Sequence, residues 1–287
     1  MRYEAPTTVD AAVEFLASQS GDCHMLAGGT DLLVKLRSEM IEPDAILDIK
    51  RIEGMKDITA ENGGWRIGAA VSGAEMNEHE ALCAAWPGVV EAVGLIGSTQ
   101  IQGRATLAGN LCNGSPAADS VPAMLAADAI VRIAGPGGVR DVPVGEIPEG
   151  PGKTSLKANE FIASIFLPER PARSSDAYLR FIPRTEMDIA VVGCGVSLQL
   201  DESGKVARAR VALGAVGPKV TLVPEAATAI EGSTLDDAAQ AALTAACTSA
   251  ASPIDDKRGT IAFRKHVAGV LGRRAAKIAF ERAGGAA

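Results

Sequence analysis

The spacing of apolar residues changes several times along the chain, and each change predicts an element. Val9, Ala12, Val13 and Leu16 recur at helical spacing behind Thr7 and Asp10, a pair that resembles a capping box, so a helix is expected over about residues 8–18. Met25-Leu26-Ala27 reads as a brief buried strand. Residues 31–40 read as a helix with Leu32, Leu33 and Leu36 on one side, and 46–49 as a strand that closes a compact αβαβ unit. From Lys56 the character shifts. Residues 56–60 and 65–70 flank Glu61-Asn62-Gly63-Gly64, a hairpin signal because Asn-Gly tolerates positive φ. Helical stretches are expected at 73–82, 89–94 and 122–127, and strands at 130–134, 139–144 and 160–167, with 148–152 an exposed connection.

The polar run Arg170-Pro171-Ala172-Arg173-Ser174-Ser175-Asp176 interrupts these patterns and marks a domain boundary. Beyond it, 177–181, 189–200 and 205–216 read as three antiparallel strands, the last two joined at Glu202-Ser203-Gly204. The remainder reads as helices at 224–230, 235–250 and 258–282, the last with an apolar stripe of Phe263, Val267, Val270, Leu271 and Ile278. The fold class is α+β.

Two stretches fit neither period. Residues 105–120, ATLAGNLCNGSPAADS, set Gly109, Gly114 and Pro116 among small polar side chains, too irregular for a helix and too small for a core strand. Residues 27–33, AGGTDLL, are of the same kind. Glycine and small residues let a backbone approach a ligand, and exposed N–H groups can donate to an anion. Two readings stand: a pair of tight connections with no ligand, or two halves of one phosphate cradle.

Composition narrows the choice. The 287 residues carry a net charge of −7, so the basic footprint of a nucleic-acid binder is missing. Aromatic residues are only 3%, which argues against stacking platforms for single strands. Cys23, Cys83, Cys112, Cys194 and Cys247 are scattered and form no C-x-x-C, so zinc or iron–sulfur ligation by this chain is not expected and a reducing compartment fits. The first residues lack an apolar leader and no apolar run has membrane length; the reading is a cytoplasmic protein with no membrane span.

Known phosphate and hydrolase motifs fail. There is no G-x-x-x-x-G-K-[ST], and Gly193-Cys194-Gly195 runs to Leu198 where a dinucleotide fingerprint requires glycine. Gly114-Ser115-Pro116 is no nucleophile elbow, since Pro116 removes the N–H after the serine. His24, His79 and His266 form no constellation, and His24 beside the first loop reads as structural. No catalytic residue is assigned. The cationic face of the last helix (Arg264, Lys265, Arg273, Arg274, Lys277, Arg282) is either a solvated face or a dock for an acidic partner. Asp31 is expected to cap the helix that follows, and Asp119 to accept from ligand hydroxyls or adenine. Loops without an acid–base set suit a protein whose cofactor does the chemistry.

At these loops the sequence resembles the FAD-binding medium subunits of the molybdenum hydroxylases, the family of carbon monoxide dehydrogenase and the xanthine dehydrogenases. Ala27-Gly28-Gly29-Thr30-Asp31-Leu32-Leu33 is similar to the family's AGGT-D/S-L-L, and Gln100–Asn110 with Ser115-Pro116-Ala117-Ala118-Asp119 to its QIRN-x-AT-x-GGN…SP-x-x-D. Glu160-Phe161-Ile162-Ala163-Ser164-Ile165, Asp188-Ile189-Ala190 and Asp256-x-Arg258-Gly259 with Phe263-Arg264 extend the likeness over the whole chain. Two departures stand out. Ala108 replaces the first of the paired glycines and demands φ < 0 there, and Gln102-Gly103 replaces Arg-Asn.

The resemblance implies a two-subdomain FAD-binding domain of the vanillyl-alcohol-oxidase type over residues 1–172 (about 1–54 and 55–172). A C-terminal flavoprotein domain over 173–287 would then hold a three-stranded antiparallel sheet with helices. It implies that Met25, Leu26, Ala27, Gly28, Gly29, Thr30, Asp31 and Leu32, with Thr106, Ala108, Gly109 and Asn110, cradle the FAD pyrophosphate. Ile96 and Ser115 would belong to the same cofactor site. Asp119 would bind the adenosine part or order the loop, and Ile162 and Arg180 would border the flavin. The implied partners are a small [2Fe–2S] subunit and a large molybdopterin subunit, as a dimer of heterotrimers, with electrons leaving through FAD to an external acceptor. A self-sufficient reductase related to UDP-N-acetylenolpyruvoylglucosamine reductase is the alternative, and the chain offers no acid–base set for it.

Overall fold

The N-terminal segment alternates strand and helix, and such crossovers bring its strands together in parallel. The computed structural model describes residues 1–285. It opens with β1 (Arg2–Glu4), of which the apolar pattern gives no sign, followed by α1 (Val9–Ser18), β2 (Cys23–Leu26), α2 (Leu32–Arg37) and β3 (Ala45–Asp48). The strands pair in the order β1-β3-β2, and central β3 is buried at every residue. Helix α1 buries Ala12, Phe15 and Leu16 in the same core that holds Ala45 and Leu47 of β3. Its cap is Thr8 rather than Thr7: the Thr8 hydroxyl oxygen accepts from the Ala11 N–H at 3.2 Å. Helix α2 ends at Arg37, three residues short of expectation, and buries none of its residues, so its leucine side is not a core face.

The second sheet is antiparallel. Its first hairpin joins β4 (Ile58–Glu61) to β5 (Gly64–Gly68) through Asn62 and Gly63, both at positive φ (48° and 76°), as the sequence predicts. Next come α3 (Gly73–Glu78), α4 (Glu80–Ala85), α5 (Pro87–Val93) and α6 (Thr99–Gln102). The single helix expected over 73–82 breaks at His79, whose Nδ1 accepts from the Leu82 N–H at 3.1 Å and so caps α4. The stretch 105–120 is not irregular throughout. It contains α7 (Leu107–Cys112) and leads into α8 (Ser120–Ala126), because Leu107, Ala108 and Leu111 share one buried face.

Strands β6 (Ile130–Gly135) and β7 (Gly138–Pro143) form a second hairpin, then β8 (Pro148–Gly150) pairs with β9 (Lys153–Thr154). The connection expected to be exposed at 148–152 therefore holds a short strand whose Pro148 and Gly150 are buried. Strand β10 (Phe161–Leu167) inserts between the hairpins, giving the order β4-β5-β10-β6-β7. Phe161, Ile162, Ile165 and Leu167 of this central strand are all buried in the hydrophobic core.

The C-terminal sheet has four strands, not three: β11 (Ser174–Phe181), β12 (Val192–Leu200), β13 (Val206–Gly214) and the short β14 (Thr221–Leu222). Helices α9 (Pro224–Thr228), α10 (Asp237–Ala250) and α11 (Ile261–Arg282) follow. One of the failed dinucleotide glycines, Gly195, and a neighbour in the sheet, Gly214, have a packing role. A Cβ at Gly195 would lie 2.6 Å from the carbonyl oxygen of Pro122, and one at Gly214 would lie 2.8 Å from the Pro122 ring. The bare backbone of β12 and β13 lets α8 lie directly on the sheet.

Helix α11 does not present the expected stripe. Phe263 is exposed, Val270 and Ile278 are half-buried, and the core face is mostly small: Val267, Ala268, Leu271, Ala275, Ala276, Ala279 and Phe280. Small residues, with Gly269 and Gly272 against Thr244, Thr248 and Cys247, bring α10 and α11 close together. Arg264 leaves the cationic face altogether. It is 4% exposed, holds Asp256 at 2.6 Å and donates to the carbonyls of Val191 and Ala215.

The two halves share a core, since Tyr178, Ala212 and Val220 from the C-terminal half belong to the first hydrophobic cluster. A buried ion pair crosses the same boundary. Asp176, 2% exposed, accepts from Arg170 Nη2 at 2.6 Å and from the Val89 N–H of α5 at 3.1 Å. The Arg170 guanidinium stacks on the Trp86 ring at 3.8 Å, with its Nε and Nη1 buried and unpartnered. The run expected as a polar linker thus begins and ends on an internal contact.

Candidate functional site

The two glycine loops come together. The first, after β2, meets the residues before and within α7 across a cleft of about 390 Å³, a size suited to a small-molecule or cofactor site. The loops touch directly: a Cβ on Gly28 would overlap the carbonyl oxygen of Arg104. Gly29 takes φ +80°, a left-handed conformation that glycine adopts without strain. Beneath it packs the Leu26 side chain, 2.9 Å from where a Gly29 Cβ would lie.

The first loop leaves donors free. Among the described residues, the backbone N–H groups of Gly28, Gly29, Thr30 and Asp31 donate to no protein acceptor. Gly28, Gly29 and Thr30 are half-buried and Asp31 is exposed, so these N–H groups are open to water or to a ligand in the cleft. Thr106 begins the other wall. Its hydroxyl oxygen accepts from the Gly109 N–H at 2.9 Å and caps α7, while its own proton remains to donate elsewhere. Ala108 lies inside this helix and is not among the positive-φ residues, so the methyl group is accommodated as required. Thr106→Ala removes the cap and should cost about 1 kcal/mol, read as a drop of about 2–4 °C in the melting temperature, with Thr106→Ser close to wild type.

Of the residues singled out from the sequence, Met25, Ala27, Gly28, Gly29, Thr30, Asp31, Leu32, Ile96, Thr106, Ala108, Gly109, Asn110 and Ile162 line this one cleft. Four do not. Leu26 supports the loop from below. Ser115 is exposed in the following turn, where its hydroxyl accepts from the Ala117 N–H at 3.2 Å. Asp119 and Arg180 are paired with each other at 2.8 Å, with the Tyr178 hydroxyl donating to Asp119 at 3.3 Å. Burial pushes the Asp119 carboxyl up and the Arg180 guanidinium pulls it back. Asp31 stands at the N-cap of α2 but its carboxylate makes no cap bond, contrary to expectation.

Other cleft residues escaped the sequence reading. Lys35 is one helical turn beyond Asp31 and supplies a cation, a spacing that could have revealed it. Glu160 and Ile162 are two apart at the start of β10, and a bulge between Ile162 and Ser164 aims this end of the strand. The Arg140 guanidinium, at 2.9 Å, holds the Glu160 carboxyl below the usual range, so Glu160 stays ionised and is balanced by that partner. His24 also lines the cleft, its Nε2 2.9 Å from Asp22. Cys23, Gly152, Thr154 and Leu156 arrive from distant segments and had no local signal. Burial raises the Cys23 thiol, which keeps it protonated.

Comparison with known proteins gives this site a context. Residues 1–170 match the family model described as the FAD binding domain in molybdopterin dehydrogenase, and residues 177–279 that of the CO dehydrogenase flavoprotein C-terminal domain. The chain is 30% identical over 285 residues to the xanthine dehydrogenase FAD-binding subunit of Escherichia coli O157:H7, covering 99% of this chain and 97% of the relative. It is 29% identical over 281 residues to the carbon monoxide dehydrogenase medium chain of Hydrogenophaga pseudoflava, covering 98% and 97%. A solved structure of carbon monoxide dehydrogenase from that organism matches at a TM-score of 0.93 and 30% identity, over 98% of each chain. No helix among the described residues is long and apolar enough to cross a membrane.

Proposed function

The chain belongs to the FAD-binding medium subunits of the molybdenum hydroxylase family, and on that premise we propose that the cleft holds its FAD for electron transfer within a multi-subunit enzyme. Electrons would enter from [2Fe–2S] clusters of a small partner subunit and leave to an external acceptor. Substrate oxidation would occur on a large molybdopterin subunit, in a dimer of heterotrimers. The observation that carries this reading is the convergence of both glycine loops on one cleft, with free N–H groups at Gly28, Gly29, Thr30 and Asp31.

The residues fit the group. Donors arrayed along a loop suit a pyrophosphate, and Lys35 adds a compact positive charge. Each hydrogen bond to a charged oxygen contributes about 1.5–3 kcal/mol, so the loop holds the cofactor without an arginine clamp. Ile162 and Ile96 provide apolar contact for the ring system. When bound, FAD supplies a two-electron store that also exchanges single electrons, which suits it to stand between clusters and a two-electron acceptor. Of the two roles open to Asp119, ordering the loop is the one its pairing with Arg180 favours. We place the division between cofactor domain and C-terminal flavoprotein domain near residue 172.

The test is reconstitution followed by reduction of the assembled complex. The full chain should take up FAD with the visible flavin spectrum, and that spectrum should bleach when substrate is added to the complex with its partner subunits. A fully flavin-loaded complex that turns over without any bleaching would overturn the electron-transfer role.

A further inference from the structure

Asn110 is the one cleft-lining amide whose orientation the protein itself dictates. Its Oδ1 receives two hydrogen bonds from the first residue of α8: the Ser120 backbone N–H at 3.1 Å and the Ser120 hydroxyl at 2.7 Å. A backbone N–H can only donate, so the amide atom that faces it must be the oxygen. The hydroxyl, set against an oxygen already identified as an acceptor, donates as well. Both lone pairs of Oδ1 are then used. Ser120 is fully buried, so water cannot compete for either bond. The Nδ2 group lies on the opposite side of the amide and has no partner among the described residues, while Asn110 itself lines the cleft.

We propose that Ser120 is a positioning residue that locks Asn110 as a donor, with the Nδ2 hydrogens offered to an acceptor oxygen of the cofactor. This rests on the reading of the cleft as the FAD site. A free asparagine presents either end of its amide at small cost, so it discriminates poorly between donors and acceptors. The locked one accepts nothing from the cleft. The matching chemistry is an oxygen with lone pairs and no proton, which a phosphate and a flavin carbonyl both provide. Ser120 lies outside the cleft and acts only through Asn110.

The experiment titrates FAD into the apo forms of the full chain and follows flavin fluorescence, with ADP as a second ligand and the melting temperature of each apo form as a check on folding. Asn110→Asp keeps the shape but places an acceptor against an acceptor. It should weaken FAD about 10–100-fold at neutral pH. That loss should shrink as pH falls toward about 4 and the carboxyl gains a proton to donate. Ser120→Ala retains the backbone bond and releases the amide only in part, so a loss of about 3–10-fold that does not vary with pH is expected, with Ser120→Thr restoring affinity. If ADP weakens in parallel, the partner oxygen is on the pyrophosphate; if only FAD weakens, it is on the ring. Wild-type affinity in Asn110→Asp at neutral pH would overturn the proposal without reference to any change at position 120. Wild-type affinity in a folded Ser120→Ala would overturn the role of Ser120. Gly28→Ala is the separate control, since retained binding there would count against the cleft as the FAD site and not against the orientation of Asn110.

Discussion

Gly28→Ala abolishes FAD binding while the protein still folds. The added methyl has no room, because it falls on the carbonyl oxygen of Arg104, a backbone atom that cannot rotate away. The two loops must separate, and the free N–H groups of Gly28, Gly29, Thr30 and Asp31 lose their common aim. Losing two hydrogen bonds to a charged group forfeits about 3–6 kcal/mol, or about 100-fold to 10,000-fold in affinity. The hydrophobic core is untouched, since Gly28 is a half-buried residue of the loop between β2 and α2 and belongs to neither hydrophobic cluster. Flavin content after reconstitution measures the first outcome and the apo-protein melting curve the second. A variant that retains flavin at wild-type affinity would show that the loops do not form the cofactor cradle.

The largest loss of stability is expected from Asp176→Ala. The substitution leaves the Arg170 charge buried against Trp86 with no acceptor, and it strips the Val89 N–H of its partner. Breaking a buried pair on one side costs about 3–5 kcal/mol, a fall of roughly 6–20 °C in melting temperature for a chain of this size. Asp176→Asn should cost less than Asp176→Ala but still destabilise, because its single oxygen can accept from Arg170 or from the Val89 N–H but not from both, and the Arg170 charge stays buried without a counter-charge. Burial raises the Asp176 carboxyl to about 6, with Arg170 opposing the shift. A carboxyl raised on folding binds its proton longer in the native state than in the unfolded one. Its contribution to stability is therefore greatest at low pH and is lost as pH rises from about 4 to about 6. Any advantage of the wild type over Asp176→Asn should shrink over that same interval. Thermal melts of both proteins across the range test it, and an advantage that grows with pH would reverse the assignment.

Local chemistry was legible in the sequence and distant chemistry was not. The Asn62-Gly63 hairpin, the first helix and the antiparallel C-terminal strands could be read because spacing and turn residues lie within a few positions of one another. The cleft wall at residues 25–32 and 106–110 could be read because glycine and small polar residues stand out from their neighbours. Helix α7 could not, since its capping threonine and three buried apolar residues sit in a run dominated by turn formers, where tertiary contact outweighs propensity. The break at His79 depended on a ring nitrogen acting as a cap, a role seldom taken by histidine. Arg264 read as part of a cationic face, solvated or docking an acidic partner, because nothing in a helical pattern announces that Asp256 and two carbonyls wait beneath it. Gly193 and Gly195 were conspicuous but were tested only against ligand motifs, whereas Gly195 serves contact with Pro122 and Ala123 and Gly193 faces the Tyr178 hydroxyl.

The contacts that bind Asp119 to Arg180 and Tyr178, and Asp176 to Arg170 and Val89, have a consequence for descent as well as for stability. Two segments that match separate family models behave as modules on paper, and recombination between relatives would be free to exchange them. Here Asp119, at the end of the second loop, is paired from the far side of the junction, as is Arg170, the base that ends the first segment. A chimera that takes residues 1–170 from one relative and the remainder from another inherits half of each pair. Such hybrids should succeed only when positions 119, 170, 176, 178 and 180 come from a single parent, so these five form one heritable unit that spans the boundary between the two segments.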